Sequence, residues 1–585
     1  MPSTMGAPPA TKPDPWKMRA AFAMAFSLGY LALSLLGAAW TFPHRYAPVA
    51  TDFDTGFMGG LASADNASLA IAWGASRDET FRGTAITIQD LTFFSERWNG
   101  VDITIAAALA RPRTVVGRIP ALVVVHGYGG THESMMGVAR ELAASGRVAI
   151  AIDAPDSGGS TPYPRRTPED LVNVTTDPRG GFLYHVAYAA SRALSVAESL
   201  AFVDPARLGV LGASQGGLTS LYLAAKDPRV SAALPMIPGG NLEEAYWAPS
   251  LAHVLLPQGV TLSDPRLVGF RRHFDPLGYA PVITAPVLFM TGTADEFFPI
   301  WGVMSTYDAI PSRKWLSIVP NHGHSGYDGW IPTATRFLDW VFNGGAPLPD
   351  PAVIGVASDL AGVHVTSSTT STSEVVLLWR GSTAAETWRS TTMAVAGGLY
   401  SATVMPMWPG RVSLFVSIVE AGAYTTATPV TAVDATGYAG PALLIATAGM
   451  TATLWGLIGL PFRERRVPIL AVVLAVAGSA WAWIGVPGRT AWGVYEIADR
   501  TSLGSFLLGA YLVFFSALFA TALLRPRKLL VLSWVPVIFS ATVYGIAAAF
   551  LGGAVLAPSW GFALIVAAPL LVLVDRRWRK ETRVF

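Results

Sequence analysis

The chain of 585 residues contains no cysteine. That absence excludes disulfide bonds, thiolate metal sites and a cysteine nucleophile. Its nine histidines show neither an HExxH pattern nor another paired metal spacing, and no GxxxxGK(S/T) phosphate loop occurs. We therefore predict that the protein uses no metal ion, no nucleotide and no other cofactor.

Charged residues are also scarce, at 14% of the chain against 52% hydrophobic residues. The 41 basic and 39 acidic residues give a formal net charge of +2, which is too small to attract nucleic acid. The mean hydropathy of +0.42 is high for a fully soluble protein. The composition therefore predicts that part of the chain lies in a membrane.

Long apolar runs occur at the two ends of the chain. Residues 20–40 hold about the 20 apolar residues that cross a bilayer, and they follow a segment, 1–19, with three basic residues. A cleaved signal peptide is the alternative, although its apolar region is typically shorter. Five more runs in 439–574 are predicted as transmembrane helices, at 439–460, 468–486, 503–524, 529–556 and 559–574.

Basic clusters predict the direction of these six spans. FRERR at 462–466, RPRK at 525–528 and DRRWRK in the tail 575–585 fall at every second boundary. Because positively charged loops stay in the cytoplasm, we predict an integral protein of the cell membrane with both termini cytoplasmic and residues 43–437 extracytoplasmic. Ionisable residues are almost absent from the spans, which favours an anchor over an ion-driven transporter.

Residues 84–345 alternate β-rich runs with helical patterns, which is typical of a mostly parallel sheet covered by helices. We assign 43–345 to one α/β domain, in which an insertion at about 240–280 is predicted to cap a pocket. Its Tyr246, Trp247 and leucines favour an apolar acyl or aromatic group, or simply pack the cap. After the stiff PLPDP linker, alternating apolar patterns in 351–437 predict a small β-sandwich.

The stretch GASQGG, at 212–217, directly follows an apolar strand pattern. Its GxSxG spacing places Ser214 at a sharp strand-to-helix turn, where the glycines allow the strand and the helix to approach closely. A serine nucleophile needs a base and an orienting carboxylate, which follow it in the chain order acid, then His. We predict Asp295, beyond the strand at 285–291, as the acid, and we expect Glu296 to point elsewhere.

Two histidines follow the last predicted strand of the sheet. His324 lies further into its loop than His322 and comes directly after Gly323, which lets the loop bend back, so we predict His324 as the base. His322 is then a packing residue. An oxyanion hole needs two backbone N–H donors, and we assign them to Gln215, after the nucleophile, and to Tyr128 in HGYGG.

Together, HGYGG, DAPDSGGS, DPARLGVLGASQGG, GTADEFFP and NHGHSG resemble the α/β-hydrolase superfamily, in the branch of dienelactone hydrolases, acetyl xylan esterases and prolyl-oligopeptidase-like peptidases. The resemblance covers about 84–345 and implies the α/β-hydrolase fold. HGY and SQGG specifically resemble the cephalosporin-C deacetylase and acetyl xylan esterase group. That group's Arg-Gly-Gln is replaced here by Asp156-Ser157-Gly158 and its His-Glu by His324-Ser325, so deacetylase specificity is not implied.

The sequence thus predicts an α/β-hydrolase fold followed by a small β-sandwich and a C-terminal transmembrane helical bundle. The predicted function is a membrane-anchored serine hydrolase that cleaves a small-molecule, lipid or polymer carboxylic ester through an acyl-enzyme. The same triad would also serve a serine peptidase or an acyltransferase. In a hypothesis of another class, the membrane region is a transporter or receptor, and the hydrolase domain is its accessory or sensor.

Overall fold

The computed structural model describes residues 52–438, with gaps at 60, 62–67, 248–249, 262, 360, 382–386, 407–409 and 436–437. Beyond these it describes three short strands that pair with one another, Ala482–Gly485, Trp492–Gly493 and Ala557–Pro558. The predicted spans at 20–40 and in 439–574 lie almost wholly outside the described residues and stay predictions. Within the described part, no helix is both long enough and apolar enough to cross a membrane.

A mixed β-sheet forms the centre of the α/β unit. In the described residues its order is β1-β2-β3-β5-β4-β6-β7-β8-β9. The first three strands and β5 pair in antiparallel fashion, and from β5 to β9 neighbouring strands are parallel. These strands are Ala72–Phe81 (β1), Thr84–Trp98 (β2), Val101–Pro112 (β3), Ile119–Val125 (β4), Val148–Ile152 (β5), Val203–Ala213 (β6), Val230–Met236 (β7), Val287–Gly292 (β8) and Lys314–Val319 (β9). The predicted α/β-hydrolase sheet, with its antiparallel start, is confirmed.

Helices cover both faces of this sheet, because successive strand residues point to opposite sides. In β4, Val123 and Val125 belong to one apolar core, whereas Leu122 and Val124 belong to the other. The α3 and α4 helices close the first core, and α1 and α8 close the second. The helices are Met136–Ala144 (α1), Pro168–Leu171 (α2), Phe182–Ser199 (α3), Gln215–Lys226 (α4), Leu242–Trp247 (α5), Pro265–Phe274 (α6), Ile300–Ala309 (α7) and Trp330–Asn343 (α8).

The segment between β7 and β8 forms the cap. It contains α5, a 3-10 helix at Leu251–Leu255, and α6. Arg271 on α6 forms an ion pair with Glu243 on α5 at 3.1 Å, and Tyr246 donates a hydrogen bond to the carbonyl of Val260 at 2.9 Å. These contacts hold the parts of the cap to one another above the carboxyl ends of the parallel strands.

Residues 352–435 form two facing sheets. One has the order β10-β11-β15-β14, and the other is built on β12, β16 and β18. Their facing side chains, including Val365, Leu377 and Val416, form a shared apolar core. The strands are Ala352–Asp359 (β10), Gly362–Ser368 (β11), Glu374–Arg380 (β12), Arg389–Thr392 (β13), Ala394–Ala396 (β14), Leu399–Val404 (β15), Gly410–Glu420 (β16), Ala423–Ala427 (β17) and Thr431–Ala435 (β18).

The second of these sheets continues the sheet of the α/β unit. β17 pairs with β9 through Ala427 and Leu316, and the Ser317 hydroxyl donates to the carbonyl of Tyr424 at 3.0 Å. The outer edge of β9, which would otherwise present unpaired backbone groups, is thereby covered. The two-sheet region is therefore joined directly to the strand that precedes His324, although the sequence suggested a separate unit behind a linker.

Candidate active site

Ser214 lies at the turn between β6 and α4, with a φ of 56° and a ψ of −112°. This is a conformation that a non-glycine residue rarely adopts, and the surrounding backbone holds it. The Ser214 N–H donates to the carbonyl of Met236 at 2.9 Å. A Cβ added to Gly216 would lie 2.1 Å from the carbonyl oxygen of Val125, and one added to Gly212 would lie 2.4 Å from that of Gly216. The GxSxG spacing is therefore required by close backbone approach on both sides of the serine.

The three predicted triad residues form one hydrogen-bonded chain. His324 Nε2 lies 2.8 Å from Ser214 Oγ, and His324 Nδ1 lies 2.7 Å from Asp295 Oδ2. The side chain of Asp295 is fully buried, and its other oxygen accepts the N–H groups of Phe297 and Phe298 at 2.9 and 2.8 Å. The carboxylate thus faces the Nδ1 side of the imidazole, and Nε2 faces the Ser214 hydroxyl.

The loops that carry the acid and the base are bound to each other. The Ala294 N–H donates to the carbonyl of His322 at 3.0 Å, and the Asn321 N–H donates to the Thr293 hydroxyl at 2.7 Å. At the end of β8, a Cβ on Gly292 would lie 2.1 Å from the carbonyl oxygen of His322. Because β8 and β9 are parallel neighbours, both loops leave the same edge of the sheet, and these contacts fix their separation.

The structure separates the two candidate bases. His322 Nε2 lies 3.0 Å from the carbonyl oxygen of Ser325, and its ring packs edge-on against Tyr327 and Trp330. These contacts point His322 toward the start of α8, whereas His324 reaches Ser214. The predicted packing position of His322 thus agrees with this arrangement.

Glu296 contributes a contact that sequence reasoning missed. Its Oε2 accepts the backbone N–H of His324 at 2.8 Å, although the sequence led us to expect that it points elsewhere. The two neighbouring acids therefore hold different parts of His324, because Asp295 accepts from the ring. Only the path of the loop decides this, and no pattern in GTADEFFP indicates it.

A second missed contact comes from the two-sheet region. Asn321 donates from its amide nitrogen to the carbonyl of Trp388 at 2.8 Å, and its amide oxygen accepts the Trp388 N–H at 2.7 Å. Asn321 itself has a φ of 57° and begins the loop that carries His324. This reciprocal pair gives the two-sheet region a positioning contact with the catalytic loop.

The two predicted oxyanion donors, Gln215 and Tyr128, line the same cavity as Ser214. Gln215 is the first residue of α4, so its N–H has no acceptor within the helix and lies at the positive end of the helix dipole. Tyr128 follows Gly127, where an added Cβ would lie 3.3 Å from the Cβ of Ser214. The HGYGG loop thus passes directly against the serine.

Buried histidine and aspartate side chains fix that loop. The fully buried His126 accepts the N–H of Ala154 on Nε2 at 2.9 Å, and its Nδ1 lies 2.7 Å from the carbonyl oxygen of Gly127. Nδ1 therefore carries the proton, and burial lowers the pKa of His126, which keeps the ring neutral. This ring connects the end of β4 to the segment that follows β5.

Asp153 holds the far end of the same loop. Its Oδ1 accepts the backbone N–H of His132 at 2.6 Å and the Nδ1–H of the same residue at 2.9 Å, while Oδ2 accepts the Gly159 N–H at 2.9 Å. Burial alone would raise the pKa of Asp153, but these hydrogen bonds outweigh it and lower the pKa. The bond to Asp153 raises the pKa of His132.

The Asp156-Ser157-Gly158 segment binds an arginine from a later loop. Asp156 Oδ2 accepts the backbone N–H of Arg166 at 2.9 Å, and the Ser157 hydroxyl accepts from its guanidinium at 3.0 Å. That guanidinium lies over the ring of Tyr128 at 5.5 Å, and the Tyr128 hydroxyl donates to the Arg166 carbonyl at 3.1 Å. These contacts orient the Tyr128 side chain, which forms one wall of the pocket beside Ser214.

A cavity of about 80 Å³ opens beside Ser214 beneath the cap. Leucine, phenylalanine and alanine side chains from α2, α3, α4 and the cap form most of its wall, and Ser214 and Gln215 also line it. The predicted cap thus covers a pocket that ends at the nucleophile. Among the described residues, no group of His, Asp and Glu side chains is arranged to hold a metal ion.

Two family models match the chain. The acetyl xylan esterase model (AXE1) matches residues 45–239, and the model for PhoPQ-activated pathogenicity-related protein matches residues 173–389. Acetyl esterase Axe7A of Xylanibacter ruminicola is 28% identical over 175 residues, which are 29% of this chain and 38% of that protein. The chain thus spans less than half the length of this relative.

A second relative and a solved structure match longer segments. A candidate carboxymethylenebutenolidase of Salmonella typhimurium is 26% identical over 261 residues, which are 40% of this chain and 81% of that protein. The solved acetyl xylan esterase from Paenibacillus sp. R4 is 23% identical, with 50% of this chain and 95% of that chain covered and a TM-score of 0.43. The family and relative matches support a serine hydrolase of the esterase type. The chain has the α/β-hydrolase fold and is similar to the acetyl xylan esterase and dienelactone hydrolase-like group within it.

Proposed function

We propose that the protein is a carboxylic-ester hydrolase that works through an acyl-enzyme. The hydrogen-bonded chain from Asp295 through His324 to Ser214 carries this proposal, because it joins a strained serine to a base with a buried orienting carboxylate. The similarity to acetyl xylan esterases supports the ester class.

The proposed reaction begins when Ser214 Oγ attacks the ester carbonyl carbon while His324 Nε2 takes its proton. Asp295 holds the Nδ1–H and stabilises the imidazolium that forms. The N–H groups of Gln215 and Tyr128 then donate to the oxyanion of the tetrahedral intermediate. His324 returns the proton to the departing alcohol oxygen, which leaves an acyl group on Ser214.

Water completes the cycle by the same steps. His324 takes a proton from the water as its oxygen attacks the acyl carbon, and the second tetrahedral intermediate uses the same two N–H donors. Breakdown returns the proton to Ser214 Oγ and releases the carboxylic acid. A peptidase would expel an amine in place of the alcohol, and an acyltransferase would replace water with another nucleophile, so both stay alternatives.

Labelling with a fluorophosphonate probe tests the nucleophile. Ser214→Ala should abolish labelling and ester hydrolysis, with the fold retained because the change removes only a hydroxyl. Ser325→Ala is the matched control, since its exposed hydroxyl lies next to His324 and bonds His322. Undiminished labelling of the Ser214 variant would show that another residue is the nucleophile.

We also propose that the catalytic unit is held at the outer side of a membrane by the spans at 20–40 and in 439–574. The support is the apolar composition of these segments and the alternation of their basic clusters. Protease added to sealed, right-side-out vesicles should cut within 43–437, whereas full protection of this region would contradict the proposed topology.

A 43–437 fragment tests the role of the spans. If its activity matches that of the intact chain, the spans act as an anchor; a large loss of activity favours the transporter or receptor alternative.

A further inference from the structure

We propose that the cavity beside Ser214 binds the acyl part of the substrate, and that this acyl group is an apolar chain longer than acetyl. The inference rests on the proposed ester hydrolysis at Ser214. The inference concerns only which ester is hydrolysed, and it is drawn from the residues that line the cavity.

The wall is almost entirely apolar. It consists of seven leucines, two phenylalanines and two alanines, together with Tyr128, Tyr246, Ser214 and Gln215. The tyrosine hydroxyls are already used, because Tyr128 donates to the Arg166 carbonyl and Tyr246 to the Val260 carbonyl. Gln215 has a buried amide whose Oε1 and Nε2 lack hydrogen-bond partners, and it could serve a polar group of the ester next to Ser214. A sugar hydroxyl placed against the leucines and phenylalanines would lose its hydrogen bonds to water without replacing them, which is unfavourable.

The cavity extends away from the nucleophile. Leu218, near the start of α4, lines the cavity about one helical turn after Gln215. Leu183 on α3 and Leu267 on α6 also line it, from the sheet side and from the cap. An acetyl group on Ser214 ends in a single methyl and leaves most of this wall without contact, whereas a longer chain covers it.

The loop that follows His324 lies at the surface. His324, which must hand its proton to the leaving alcohol, has its ring beside Phe297 at 4.8 Å, and the residues that follow it, Ser325 and Gly326, are exposed. The alcohol therefore departs toward solvent, and the structure selects the substrate mainly by its acyl chain.

Two alanines in the cap leave open the space that the acyl chain would occupy. Ala245, on α5, and Ala252, in the 3-10 helix at Leu251–Leu255, both line the cavity from the cap. A larger side chain at Ala252 would project into the cavity from the cap. The adjacent Leu251 N–H donates to the carbonyl of Glu296 at 2.7 Å, so the comparison with acetate shows whether the substitution also disturbs the loop that holds His324. Val254 lies in the same short helix but is 66% exposed, so it provides a matched control.

The test compares p-nitrophenyl acetate, butanoate, hexanoate and octanoate on the purified full-length chain, so that only the acyl group varies. We expect kcat/KM to rise about fourfold for each added methylene that the wall covers, and at least tenfold from acetate to hexanoate. Ala252→Phe should lower kcat/KM for hexanoate at least tenfold and change that for acetate less than threefold. Val254→Phe should change neither. Fluorophosphonate labelling of each variant shows whether its active site is folded.

A second variant keeps the test decisive if Ala252→Phe does not fold. Leu267→Ala enlarges the cavity and should move the preferred acyl group toward octanoate. A preference for acetate, with Ala252→Phe lowering acetate and hexanoate alike, would overturn the acyl-chain inference but leave the ester hydrolase intact. Absence of hydrolysis of every ester, with aminoacyl amides cleaved instead, would overturn the proposed function itself.

Discussion

The carboxyl edge of the sheet and the cap above it hold their residues in different ways. At the edge, backbone groups hold Ser214 and Asp295, two carboxylates hold His324, and Gly212 and Gly216 lie where any Cβ would overlap a neighbouring backbone atom. In the cap, leucine and phenylalanine side chains face a cavity, and alanines leave it partly open. The edge therefore tolerates almost no displacement, whereas the cap can change its shape by exchange of side chains. In an enzyme built this way, the reaction is set by the edge and the choice of substrate by the cap.

The largest effect should come from the base at the edge. We expect His324→Ala to lower kcat on an activated ester by a factor on the order of 10² to 10⁴, because general-base catalysis is lost. His322→Ala is the matched control and should cost far less, since that ring packs on Tyr327 and Trp330. An inactive His322 variant beside an active His324 variant would reverse the assignment.

A substitution in the strand-to-helix turn at Ser214 should give the second-largest effect on activity. Gly216→Ala places a Cβ 2.1 Å from the Val125 carbonyl oxygen, so the strand or the helix must shift. We expect the free energy of unfolding to fall by about 1–3 kcal/mol, and kcat to fall by about 10²-fold if Ser214 moves by about 1 Å. Gly137→Ala is the control, because a Cβ there meets nothing within 4 Å. Equal behaviour of the two variants would show that the turn at Ser214 tolerates a Cβ at Gly216.

Glu296 should give a smaller effect on kcat. Glu296→Ala removes the acceptor for the His324 N–H. We expect kcat to fall about tenfold, which corresponds to the free energy of one hydrogen bond to a charged group. Glu296→Gln keeps an acceptor oxygen and should recover most of the activity. A structural role elsewhere in the loop would not give this recovery, so equal losses in both variants would contradict the assignment.

Asp275 should give the smallest effect, and it acts on the cap rather than on the edge. It is buried at the end of α6 and accepts the N–H groups of Leu242 and Leu277 at 2.7 and 3.0 Å. Burial raises the pKa of Asp275 to about 6, above its ordinary value of 3.8. The folded cap then binds more protons than the unfolded one between these values. The contribution of this carboxyl to stability is therefore fully present below about pH 4 and lost as the pH rises through about 6.

Hydrogen exchange in the cap measures this dependence. After correction for intrinsic exchange, the protection of residues 242–277 should fall from pH 4 to pH 7 in the wild type and change less in Asp275→Asn. Asp264 caps the start of α6 and accepts the Arg266 N–H. Its contribution to stability depends on pH in the opposite direction from that of Asp275. The hydrogen bonds from Arg266 lower the pKa of Asp264, so its contribution is present above about pH 4 and lost as the pH falls further. An equal fall in protection in the wild type and in Asp275→Asn would show that Asp275 does not titrate as described.

Part of the site follows directly from local sequence patterns. The strand, GxSxG and helix succession predicted the position of Ser214, and the order of strand ends predicted which loops would carry Asp295 and His324. Such patterns are informative because a strand-to-helix elbow is specified within a few residues by its glycines. The six predicted spans also come from local composition and basic clusters, and they stay predictions because they lie almost wholly outside the described residues.

Other features were decided only by the tertiary structure. The hydrogen bond from His324 N–H to Glu296, the Asn321–Trp388 pair and the pairing of β9 with β17 join residues that are 28, 67 and more than 100 positions apart. The closure of the cap over a leucine-lined cavity belongs to the same class, since the residues that line it come from five separate α-helices and the 3-10 helix of the cap. Local propensity carries no information about which distant loops meet, because that depends on how the whole chain buries its apolar faces and satisfies its backbone groups.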